Sequence, residues 1–249
     1  LNTFTTNRSD LMRKISSGIS SLDKLLDGGF VSPSIVYIVG RPGTGKTTIS
    51  MQFIMEGAKK GEKGIYFSTL GEPPMMALSY MAPYKFFDER YFDNSTIEFL
   101  DLSSRFRGET HFKTTVDMVK EFVAKVNPSR IVIDSITPFS MRAHDVSTYR
   151  TMLFDLFLEM KAWGCTTIVI GECHQNYSGP EEYLADCVIE LGYRKKNYEL
   201  KKYLQIIKMR GAAHDTREHP LLISSEGVEI GNYPESMHIE RIEKEDVGD

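Results

Sequence analysis

No apolar run in the 249-residue chain approaches the roughly 18 residues that a membrane-crossing helix needs. Residues 1–13 contain no apolar h-region, so the expectation is a chain without a secretory leader, working in the cytoplasm. Cysteine is sparse. The three present, Cys165, Cys173 and Cys187, match no zinc spacing, and an odd number fits no closed disulfide framework. They read as reduced, buried thiols, and the neighbouring Cys173-His174 pair reads as structural. A strong charge of one sign is also missing. The net charge of −4 provides no global basic field, so nucleic acid is not favoured as a partner. Only Arg105, Arg107 and the cluster Arg194-Lys195-Lys196 offer local basic character. No internal repeat occurs, which leaves one copy of one domain.

What the chain does have is a glycine-rich stretch, Gly40-Arg-Pro-Gly-Thr-Gly45-Lys46-Thr47. It follows the apolar run Ile35–Val39 and leads into a helical pattern from Thr48 to Ile54. A strand, a loop of form G-x-x-x-x-G-K-[ST] and a helix together make a P-loop. Glycines let the loop curl its N–H groups inward, and the helix turns its positive dipole end to the same point. Gly40, Pro42, Gly43, Thr44, Gly45, Lys46, Thr47 and Thr48 are therefore the expected triphosphate cradle. Lys46 is expected on the β- and γ-phosphates, and Thr47 on Mg²⁺. The ligand implied is ATP or a similar nucleoside triphosphate.

A second signature lies downstream. Arg130-Ile131-Val132-Ile133-Asp134-Ser135 is a buried-strand pattern closing on an acid, expected beside the P-loop strand. Asp134 there can hold the metal of a bound triphosphate, and Ser135 can support the same water network. The strand pattern Ile65–Thr69 ends near Glu72, just beyond a strand's carboxyl end, where open α/β sheets place ligands. Glu72 fits a base for the attacking water; it equally fits a helix N-terminal acid favoured by the dipole. His174 and Gln175, past the strand Thr166–Ile170, are candidates to sense the γ-phosphate.

The remainder is scaffold. Ser20 or Ser21 is expected to cap a short helix bearing Leu22, Leu25 and Leu26, stopped by Gly28-Gly29. Met75, Met76, Leu78 and Met81 suggest a core stripe. Ile97–Leu100 reads as a strand and 101–110 as a solvated loop. Two helices follow the 3.6 period, one from Phe112 to Val126 and one from Val146 to Met160. Past Cys187 the helical patterns fade into consecutive strands, Cys187–Tyr193, Lys201–Met209 and Pro220–Ile223. The fold class is thus α/β, a mostly parallel sheet with an antiparallel edge. The expected boundaries are an N-terminal extension over 1–14, the domain over 15–230 and an acidic tail over 231–249.

Four stretches together resemble the KaiC-like branch of the RecA-fold P-loop ATPases. They are Gly18-Ile-Ser-Ser-Leu-Asp23 with Gly28-Gly29, the P-loop, Ile131–Ser135, and Lys208-Met209-Arg210-Gly211 followed by His214-Asp215. The resemblance implies a RecA-like fold, ATP and Mg²⁺ as ligands, and a homo-oligomeric ring, a hexamer, with nucleotide between subunits. It also implies that Lys208 and Arg210 reach the γ-phosphate held by the neighbouring subunit, an arginine finger supplied in trans. Two departures stand out. Many relatives carry paired glutamates where this chain has Gly71-Glu72, leaving one acid. Clock-type members autophosphorylate a Ser-Thr pair where this chain has Glu182-Tyr183, so a clock kinase is not expected.

Overall fold

Ile35, Val36, Tyr37, Ile38 and Val39 are all buried, and strand alternation sends them to opposite faces of one sheet. Val36 and Ile38 join one apolar core with Ile49, Phe53 and Ile54; Ile35, Tyr37 and Val39 join a second with Val119, Val123 and Phe157. The structure, a computed structural model, describes residues 13–69, 73–107, 112–140, 145–172, 179–196 and 198–232.

In chain order the elements begin with β1 (Arg13–Ile15), α1 (Ser20–Leu25), β2 (Phe30–Ser32), β3 (Ile35–Gly40), α2 (Lys46–Lys59) and β4 (Gly64–Ser68). Then come α3 (Pro74–Ser79), α4 (Arg90–Asp93), β5 (Ile97–Asp101), α5 (Ser103–Arg107), α6 (Phe112–Val126) and β6 (Arg130–Asp134). The last are α7 (Thr137–Ser140), α8 (Val146–Ala162), β7 (Thr166–Glu172), α9 (Pro180–Leu184), β8 (Cys187–Lys196), β9 (Glu199–Met209), β10 (Glu218–Ser224) and β11 (Gly227–Ile230). The main sheet has nine strands in the order β11-β10-β9-β8-β3-β7-β6-β4-β5. Pairs from β8 through β5 are parallel, whereas β9, β10 and β11 add antiparallel strands at one edge. This is the expected α/β class, with α2 on one face and α6 and α8 on the other.

Asp23 organises the approach to the sheet. Its carboxylate accepts from Ser16 Oγ at 2.6 Å, Ser17 N at 2.7 Å and Ser17 Oγ at 2.6 Å. That network satisfies a fully buried serine and lets Leu22 and Leu26, both at 0% exposure, enter the core. Gly18, directly after Ser17, sits at φ +80°, where a Cβ would lie 2.6 Å from the Gln52 carbonyl of α2. Arg130, only 1% exposed, ties the start of β6 to the same region. Its Nε meets Glu62 at 2.6 Å, its Nη1 donates to the Ser16 and Phe53 carbonyls, and its guanidinium lies over the Phe53 ring.

Several expectations are corrected. The N-cap of α1 is Ile19, with no side-chain cap; Ser21 Oγ instead accepts from Ile230 N at 2.9 Å, joining α1 to β11. The supposed loop at 101–110 contains α5, started by Asp101 accepting from Ser103 N at 2.8 Å. Met75 and Met76 are exposed rather than core, because α3 is a single six-residue helix with no buried residue. Strand β7 lies between β6 and the P-loop strand, so Asp134 is one strand further away than expected. Strand β11 was too short to read from its pattern; its turn places Gly227 at φ +114°.

The Asp23 network generates a prediction. Asp23→Ala leaves three donors without their acceptor and is expected to lower unfolding free energy by about 2–3 kcal/mol in urea titration. Lys24→Ala, on the exposed side of the same helix, serves as the unperturbed comparison.

Candidate nucleotide site

Strand β3 ends at Gly40, where the chain must turn sharply into α2. Gly43 and Gly45 take φ of 77° and 109°, conformations that L side chains avoid. A Cβ on Gly45 would also lie 2.6 Å from Ile223 Cδ1, so β10 packs directly under the loop. Thr44, at 0% exposure, donates from Oγ1 to the Arg41 carbonyl at 2.8 Å. Tyr193 of β8 donates to the Pro42 carbonyl at 3.2 Å, a contact that sequence reasoning did not find. Lys46 Nζ folds back onto the loop, donating to the Gly40 carbonyl at 2.7 Å and the Arg41 carbonyl at 3.1 Å. Thr48 is buried on the first turn of α2.

Thr47 carries the loop to the second signature. Its Oγ1 donates to Asp134 Oδ2 at 2.8 Å, and Tyr66 OH donates to the same oxygen at 2.7 Å. Tyr66 was also missed; its apolar strand gave no hint that its hydroxyl held the acid. Asp134 is 5% exposed, and burial raises its pKa, opposed by the Tyr66 and Thr47 hydrogen bonds and the Lys46 charge. Next to it, Ser135 N donates to Thr69 Oγ1 at 2.9 Å, and Thr69 Oγ1 donates to the Ser135 carbonyl at 2.7 Å. Ser135 Oγ is buried with no partner among the described residues. A buried carboxylate, an adjacent hydroxyl and an orphaned serine oxygen suit a hydrated Mg²⁺ at this point.

Glu72, His174 and Gln175 lie outside the described residues. Strands β4 and β7 do run toward the site before those segments, with Ser68 beside Asp134 and Glu172 beside Gly40. Lys208 and Arg210 stand elsewhere. Lys208 pairs with Val188, level with Tyr37, and Arg210 N donates to the Asp186 carbonyl beside the start of β3. Arg210 is thus about 16 Å along the sheet from Gly40 and two strands to the side, beyond the reach of its side chain. Lys208 Nζ donates to the carbonyls of Glu182, Tyr183 and Ala185 at 2.8, 3.1 and 2.7 Å. Burial, then the nearby Arg210 and Lys161 charges, lower its pKa, with Asp186 opposing. Arg210 donates from Nη1 to Asp186 Oδ1 and from Nη2 to the Tyr183 carbonyl.

Other candidates have structural roles. Cys165 and Cys187 are buried, and burial pushes their thiols up to about 11 and about 12; Cys173 lies outside the described residues. Arg194 is paired with Glu218 and stacked on Tyr203, so that basic cluster is partly neutralised. Among the described residues, no helix is long and apolar enough to cross a membrane.

A glycine loop at the carboxyl end of a central parallel strand, joined through Thr47 to a buried acid, defines a RecA-fold P-loop ATPase domain. A protein-family model described as "ATPase: KaiC" matches residues 15–235. The chain belongs to this KaiC ATPase family. It is 28% identical to UPF0273 protein PH0284 of Pyrococcus horikoshii, across 91% of this chain and 96% of that one. It is also 28% identical to the circadian clock protein KaiC3 of Synechocystis, covering 89% of this chain but 46% of that longer protein. Among solved structures it resembles the KaiC-like protein PH0186 of Pyrococcus horikoshii. The TM-score is 0.78 at 33% identity, over 90% of this chain and all of that one.

The environment of Asp134 yields a prediction about the nucleotide-free chain. A folded pKa above the unfolded value near 3.8 means that the linked stability is complete below that value and lost as pH rises through the folded one. Asp134→Asn is therefore expected to raise Tm, more at pH 8 than at pH 5, by about 2–4 °C per kcal/mol gained. Scanning calorimetry at both pH values checks it.

Proposed function

We propose that this chain is an ATPase whose catalytic site is completed by a second copy of itself, within a ring that the family resemblance implies to be a hexamer. The observation that carries the reading is the placement of the P-loop and the Lys208/Arg210 cations at opposite ends of the sheet. One chain cannot bring its own cations to its own phosphate loop. In this reading a second copy supplies them.

In this reading the loop N–H groups and Lys46 bind the phosphates, with Lys46 exchanging its two carbonyl partners for phosphate oxygens. Thr47 and Asp134 would hold Mg²⁺, which when bound would supply positive charge against the triphosphate. Glu72 orients and deprotonates water. Cations from the neighbouring copy stabilise charge developing on the transferred phosphoryl group, in a site that pre-orients them.

Steady-state phosphate release with Mg-ATP tests the proposal. Lys46→Ala and Arg210→Ala are each expected to lower turnover on the order of 10²–10³-fold, and Glu72→Gln to lower it substantially. Release equal to wild type in either Lys46→Ala or Arg210→Ala contradicts it.

A further inference from the structure

We infer that Asp186 is the positioning residue that fixes Arg210 for its role in the neighbour's site. The inference rests on the ring reading above.

Asp186 lies between α9 and β8 and is held by the first residue of β3. Its N donates to the Ile35 carbonyl at 2.8 Å, and its Oδ2 accepts from Ile35 N at 3.1 Å. The carboxylate therefore cannot turn without breaking a bond to the central strand. From that fixed position it holds Arg210 twice: its backbone carbonyl accepts from Arg210 N at 2.8 Å, and its Oδ1 faces Arg210 Nη1 at 3.2 Å. The Tyr183 carbonyl takes Nη2 at 3.0 Å and completes the orientation.

The charge count leaves Arg210 able to bind an anion. Lys161 Nζ shares Asp186 Oδ1 with Arg210, each at 3.2 Å. Two cations thus share one carboxylate, which neutralises only one of them. The donors differ in what they have left. Lys208 has three N–H groups and donates to three carbonyls of its own chain. A guanidinium has five N–H groups, and two meet these partners; the Arg210 side chain is also 53% exposed. Lys208 fastens the end of α9, and with it the Tyr183 carbonyl. Arg210 is oriented by that carbonyl and by Asp186, and faces outward.

The test is a double-mutant cycle read by ATP turnover on the full chain, with nucleotide affinity measured in parallel. Asp186→Asn keeps an oxygen for Ile35 N but removes the negative charge that faces Arg210. It is expected to lower kcat about 10–100-fold, the range seen when an outer partner of a working group is lost. KM for ATP should stay within twofold, because the chain's own P-loop is untouched. Asp186→Glu should recover most of the lost turnover. The double variant Asp186→Asn/Arg210→Ala should be no slower than Arg210→Ala alone, because Asp186 acts through Arg210. Mixing Asp186→Asn chains with Lys46→Ala chains should restore turnover, since the latter supply intact Arg210 to intact P-loops.

Losses that multiply in the double variant, or equal activity of the Asn and Glu variants, overturn the inference, whatever the effect of either on folding. If Arg210→Ala loses turnover while Asp186→Asn does not, the positioning role fails and the ring reading stands. If Arg210→Ala itself keeps full turnover, the ring reading has failed first.

Discussion

Strand β3 is buried on both faces, and the rest of the structure depends on that. Its alternating residues belong to two separate cores, so a slip of one position would turn each set toward the wrong neighbours. The strand is consequently fixed in register, with β7 on one side and β8 on the other. Its first residue grips Asp186 by main chain and carboxylate, and its last residue opens the P-loop. Both halves of the proposed catalytic apparatus hang on one rigid segment, facing opposite ends. The proposed intersubunit site rests on that geometry more than on any single side chain.

The phosphate-binding end is built under electrostatic tension. Asp134 is almost fully buried, with two hydroxyl donors on one oxygen and Lys46 nearby. Lys46 in turn rests on two main-chain carbonyls. Each group is satisfied well enough to fold, yet each is suited to a stronger partner: a cation for the carboxylate and phosphate oxygens for the ammonium. Stability given up at such a site is the expected counterpart of organising it for a charged ligand.

Much of this was legible in the sequence because the governing interactions are local. The P-loop is one contiguous stretch with its strand and helix attached, and the apolar run before Asp134 announces a buried strand. The periods of α6 and α8 are plain for the same reason. Tertiary partners were not legible. Nothing near Ser16 and Ser17 says that Asp23 gathers them, and nothing in Ile65–Phe67 says that Tyr66 will turn its hydroxyl to Asp134. Short elements escaped as well: α5 depends on a single Asp101 cap, and β11 on a turn that brings four residues back to β10. Asp186 gave no sign at all, since its contacts arise only when distant segments meet.

The measurement that tests the central claim most directly is turnover per chain as a function of chain concentration, with molar mass by light scattering on the same samples in Mg-ATP. If each site needs Arg210 from a neighbour, turnover per chain rises steeply as the oligomer forms and then levels off when assembly is complete. Turnover that stays constant across the range while the chain remains monomeric would contradict the account, since one chain would then complete its own site.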